Sequence, residues 1–77
     1  VSEQAVQSMY YVNLAGEAMA GERLREAWWL LRAALEHDPA SAGALNSLAV
    51  LHRRMGNDAV AEAVYRHALR LHDDDLN

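Results

Sequence analysis

The sequence has no cysteine, no lysine, no isoleucine and no threonine, and its one proline is Pro39. Without cysteine there is no disulfide framework, no thiolate metal site and no cysteine nucleophile. That absence suits a reducing and an oxidising compartment equally. Two of the three β-branched residues that favour strands are missing, while alanine and leucine dominate long stretches, so an all-α chain is expected. All seven basic residues are arginines, set against eleven acidic ones for a formal net charge of −4. Scattered arginine on a mildly acidic chain gives no electrostatic footprint for nucleic acid or for an anionic membrane surface. No apolar run approaches the ~18 residues that would cross a bilayer. The N-terminus lacks the charged start and continuous apolar stretch of a signal peptide. A soluble chain is expected, and arginine used exclusively beside so much alanine reads as the codon bias of a GC-rich bacterium, with the cytoplasm preferred to the periplasm. The first residue is Val1 and not methionine, from which an excised or processed chain is expected.

What is present is an internal repeat, the first thing to look for because it decides the architecture. Shifted by 34 residues, Leu14 falls on Leu48, Ala15 on Ala49, Ala27 on Ala61, Arg32 on Arg66, Ala34 on Ala68 and Leu35 on Leu69. Tyr11 falls on Leu45 and Leu31 on Tyr65, both large apolar pairs. These positions recur at i, i+3, i+4 and i+7, the single stripe of an amphipathic helix. Tyr11, Leu14, Ala15 and Ala18 form one stripe, and Ala27, Leu30, Leu31, Ala34 and Leu35 a second. Leu45, Leu48, Ala49 and His52 form a third, and Ala61, Val64, Tyr65, Ala68 and Leu69 a fourth. Gly21 and Gly56 suit the left-handed residue that ends a helix. Asp38-Pro39 cannot continue a helix, Ser41 is a good cap for the next, and Asn57 or Asp58 can cap the last. Helices are therefore predicted at 3–20, 23–37, 42–55 and 58–72, with short connections that force neighbours antiparallel.

With these residues the chain resembles the tetratricopeptide repeat family, whose unit is a 34-residue helix–turn–helix. A first repeat over about 8–41 matches through Tyr11, Leu14, Ala15, Ala27, Leu31, Ala34 and Pro39. A second over about 42–75 matches through Leu45, Leu48, Ala49, Gly56, Ala61, Tyr65 and Ala68, and residues 1–7 extend the first helix. The pattern has a packing reason: small residues let two helix backbones approach, and large ones fill the gap beside them. The resemblance implies two tandem hairpins, four antiparallel helices in a short right-handed superhelix. Several positions depart from it. Gly21 falls one residue before the usual turn glycine, which predicts a first turn one residue longer. His52 takes a place normally aromatic, Ala18 is small at the equivalent place, and Asp73 stands where a closing proline belongs.

In that family the first helices line a concave, ligand-binding surface. The resemblance implies that Met9, Val12, Gly16, Met19 and Ala20 lie on it, joined by Gly43, Asn46, Val50, Arg53 and Arg54 from the second repeat. Such a groove is apolar at one end and positive at the other, and suits a peptide or helix with an apolar anchor and an acidic group. The plainer alternative has the methionines filling core gaps and the arginine pair solvated. Some family members grip a C-terminal carboxylate with lysine and asparagine; here Val12, Gly16 and Ser47 take those places, so that clamp is not expected. Trp28 and Trp29 point about 100° apart on a helix, so one is expected to pack between helices and the other to lie outside, as core packing or as an anchor for a partner or second copy.

No catalytic constellation is legible. Ser2, Ser8, Ser41 and Ser47 have no nucleophile motif around them, and the glycines never cluster into a phosphate loop. Glu22 and Glu26, beside Arg23 and Arg25, read as surface charge. His67 and His72 lie five apart, off the spacing that aligns two ligands on one helix face, and the acidic run Asp73, Asp74, Asp75 reads as a solvated tail. No metal and no cofactor are expected. His52 reads as a partly buried histidine holding a hydrogen bond. About three such repeats are usually needed to cover each other's apolar faces. An open face around Val64, Ala68 and Leu71 is therefore expected, leading to a larger parent chain with further repeats or to homo-oligomerisation. The expected function is a non-catalytic protein-interaction module, with a homo-oligomerisation module or an appendage of a larger bacterial enzyme as the rivals.

Overall fold

The computed structural model describes residues 2–72. Helix α1 runs Glu3–Ala20, α2 Leu24–His37, α3 Ala42–Arg54 and α4 Asp58–Leu71, with no strand among the described residues. These bounds agree with the predicted helices to within a residue. Asp73, noted at the place of a closing proline, and the acidic run with it lie outside the described residues.

Local chemistry explains most of the ends. The Ser2 hydroxyl accepts from the Ala5 amide at 3.0 Å, and Ser41 accepts from Ala44 at 3.1 Å, each satisfying an amide with no intrahelical partner. Asp38 is extended, as a residue before proline must be, and its carboxylate accepts from the Ala40 amide at 3.3 Å to turn the chain into α3. Asn57 stands at the N-cap of α4 but makes no side-chain cap bond; Asp58 instead places its charge in the first turn, favourable to the helix dipole.

The two hairpin turns are copies of one another. The Glu22 amide donates to the Met19 carbonyl and the Arg23 amide to Ala18; thirty-four residues on, Gly56 donates to Arg53 and Asn57 to His52. This pair of bonds is the Schellman closure of a helix, and it needs a left-handed residue just past the cap. Gly56 supplies it at φ 84°, and Glu22 supplies it at φ 62°. Gly21 does not: its φ is −87°. The expectation for Gly21 is thus corrected, as is the longer first turn, since Glu22 occupies the left-handed position in register with Gly56.

The helices pair in chain order, α1 with α2 and α3 with α4, and α3 then lies on both α1 and α2. Ala15, Ala27, Ala49 and Ala61 are all completely buried, at 0% exposure. A methyl group at each leaves backbones close together, and larger side chains fill in beside them. One core cluster gathers Ala15, Ala18 and Met19 from α1, Ala27 and Leu31 from α2, and Leu51 from α3. Val12, Leu24, Trp28, Leu30 and Leu48 pack around it. Leu51 therefore ties the second hairpin to the first. No helix is long and apolar enough to cross a membrane among the described residues.

The left-handed Glu22 generates a prediction. A side chain there costs about 1 kcal/mol relative to glycine, after glycine's greater unfolded-state freedom is subtracted. Glu22→Gly and Glu22→Ala both lose the carboxylate, so their difference isolates the backbone. The glycine variant is expected to melt about 4–8 °C above the alanine variant. Equal melting temperatures would show that the turn relaxes around any residue.

Candidate functional site

The face formed by the outward sides of α1 and α3 carries most of the residues expected to bind a ligand. Met9 is 58% exposed, and Gly16, Ala20 and Gly43 are exposed. A side chain at Gly16 would meet nothing within 4 Å, so this part of the face is open space. Gly43 faces α1, where a β-carbon would make an ordinary contact with Val12 Cγ1 at 4.0 Å. Val12 is half-buried against the core, and Val50 is exposed on α3.

Two expected members do not belong. Met19 is only 8% exposed and sits in the core cluster with Leu31 and Leu51. Arg54 turns back across the hairpins. Its guanidinium donates to the Met19 carbonyl at 3.1 Å and pairs with Glu22 at 2.5 Å. It holds the end of α3 to the α1–α2 turn and is spent on the fold. Helix phase alone placed both residues outward. Phase does not tell which part of a helix face the next hairpin covers.

Asn46 and Arg53 are exposed but lean toward α4. The Arg53 guanidinium lies 5.6 Å from the Tyr65 ring centre, a cation–π contact. Asn46 borders a recess of about 360 Å³ with Ala42, Tyr65, Ala68, Leu69 and His72. One repeat earlier, the residues matching Asn46 and Arg53 are Val12 and Met19, which pack in the core region. The expected groove thus divides into an open strip across α1 and α3, with Met9, Gly16, Gly43 and Val50, and a recess at the end of the second hairpin.

The tryptophans split as adjacent residues must. Trp28 packs against the core cluster while Trp29 is 57% exposed. Their rings meet edge to face at 4.9 Å, and Arg32 lies over both, at 5.0 and 5.5 Å. With Arg25 and Met55 they line a cleft of about 470 Å³ that composition did not signal, because Met55 arrives from the turn after α3. Val64 is half-buried in a third recess, beside Leu35, Leu45 and Val60, and Leu71 is exposed.

Three of the four histidines meet three different partners. His37 stacks on Tyr11 at 5.5 Å, His52 Nδ1 lies 3.5 Å from the Asn57 amide nitrogen, and His72 Nε2 lies 2.7 Å from the Ala40 carbonyl oxygen. No three potential metal ligands converge among the described residues. Comparison with known protein families, with curated proteins and with solved structures returns no match.

The different fates of the adjacent arginines can be measured. Arg54→Ala removes a bond to a carbonyl and a partly exposed ion pair, and should cost about 0.5–1.5 kcal/mol of unfolding free energy. Arg53→Ala, at an exposed position, should stay within about 0.5 kcal/mol of the parent. Equal effects in chemical denaturation would contradict the bracing role of Arg54.

Proposed function

We propose that this chain is a tetratricopeptide-type interaction module that binds a peptide or helix of another protein across the open face of α1 and α3. The observation that carries this reading is the strip itself. Met9 and Val50 stand exposed beside two glycines that leave the face unobstructed, with Arg53 offering positive charge at one end. An apolar anchor against Met9 and Val50, with a carboxylate toward Arg53, answers both features. The tandem hairpins with matching turns and matching buried alanines support the family resemblance.

A second reading, self-association, is favoured by the exposure of Trp29, a large ring beside an apolar cleft. Sedimentation separates the two: a concentration-independent monomer is the outcome expected for a module whose partner is another protein.

The binding reading is tested with a random peptide display library panned against the folded protein. Selected peptides should share an apolar residue and an acidic residue, and should lose binding to Met9→Glu and Arg53→Glu variants that keep their helical circular dichroism. Basic peptides, or binders indifferent to both substitutions, would overturn it.

A further inference from the structure

The cleft beside the tryptophans lies on the seam between the two hairpins. Arg25, Trp28 and Trp29 come from α2, and Met55 comes from the turn after α3. The repeat framework does not require them. Thirty-four residues on, Arg25, Trp28 and Trp29 become Ala59, Glu62 and Ala63; thirty-four residues back, Met55 becomes Gly21. All four counterparts are exposed. Two indoles, a thioether and a guanidinium are therefore gathered at one place on a scaffold that forms without them.

A further hairpin, stacked as the second is on the first, would not fill this cleft. After the second hairpin it would set its turn beside α4. Before the first it would offer its second helix to Gly21, the counterpart of Met55. The α2 side of this seam already meets the second hairpin, through α3 and Met55.

The lining sets the chemistry of an occupant. The two indoles meet edge to face at 4.9 Å, and the Arg32 guanidinium over both holds them in one arrangement. A flat apolar ring can cover exposed Trp29 and touch Met55, whose thioether favours aromatic contacts. Arg25 makes no ion pair among the described residues. Its neighbours in the chain are matched: Arg23 pairs with Glu26, and Arg54, beside Met55, pairs with Glu22. An arginine stays charged, and its planar fork fits a carboxylate. At about 470 Å³ the cleft falls within the range of about 300–1,000 Å³ usual for small-ligand sites, which are mostly apolar with a few polar groups. A protein interface engages about 20–30 residues a side; this cleft is lined by four.

We propose that this cleft binds a small, free aromatic carboxylate, its ring against Trp29 and Met55 and its carboxylate on Arg25. The site lies away from the strip across α1 and α3 and does not depend on it.

Trp28 and Trp29 are the only tryptophans in the sequence, so both indole N–H signals of the labelled protein report this cleft. The probe is 2-naphthoate, compared with 2-naphthylmethylammonium, which has the same rings and the opposite charge. The net charge of −4 attracts the cation, so a preference for the anion comes from the local arginines. Naphthoate, titrated into the millimolar range, should move both indole signals saturably and bind at least about threefold tighter than the ammonium. Arg25→Glu should reverse the preference. Trp29→Ala should abolish the saturable shift of the Trp28 signal. Both positions are exposed, and both variants should keep their helical circular dichroism. The proposal is overturned if the two probes bind equally, if Arg25→Glu leaves the preference unchanged, or if the shifts centre on Met9 and Val50. It is also overturned if the indole signals move on dilution of the protein alone, which would put a second copy in the cleft. Tighter binding of a short peptide with naphthylalanine beside aspartate would assign the cleft to a protein segment and overturn it equally.

Discussion

Everything in this chain depends on how closely its helices can approach. Ala15, Ala27, Ala49 and Ala61, two in each hairpin and matched across the repeat, are fully buried where an ordinary side chain would hold the helices apart. They contribute little apolar area themselves. Their role is to let leucines and aromatic rings on either side reach across and remove their own surface from water, at roughly 25 cal/mol per Å² of apolar area. In a chain this short, one core is only marginally sufficient, and a gap at any of these contacts would affect most of it.

From this constraint the second level follows. A hairpin closed by a left-handed residue presents its turn to the next hairpin, and α3 uses that turn: Arg54 braces it while Leu51 inserts beneath. The seam is thus a mixture of apolar filling and one polar strap. The second hairpin repeats the framework, but the carboxylate that receives Arg54 has no counterpart there, because Gly56 stands at the position of Glu22. Conserving the small residues while changing the rim keeps the architecture and alters what the end of the stack can meet.

The fold was largely legible because alanine and leucine recurred at helical spacing, and because Ser2, Ser41 and Pro39 punctuate where their chemistry requires. The division of labour between Trp28 and Trp29 followed from the helix angle alone. The ligand face was legible only in part. Met9, Gly16 and Val50 are open as phase suggests, but Met19 and Arg54 are taken by contacts between hairpins, which no single-helix pattern encodes. Glu22 is hidden for a different reason: glycine is the usual occupant of a left-handed position, and Gly21 beside it points one residue early. The repeat offset itself held the signal, since it aligns Glu22 with Gly56. The cleft beside Trp29 depends on Met55 from a later turn and had no local sign.

The most direct test of the packing claim replaces a buried alanine with a larger residue. Ala27→Leu and Ala61→Leu should each lower the unfolding free energy by about 1–3 kcal/mol, the usual cost of overfilling a close contact. Ala59→Leu, at an exposed position of the same helix as Ala61, should change it by no more than about 0.5 kcal/mol. If the two buried variants denatured at the same concentration as the exposed one, the helices would not be held by close approach at these alanines.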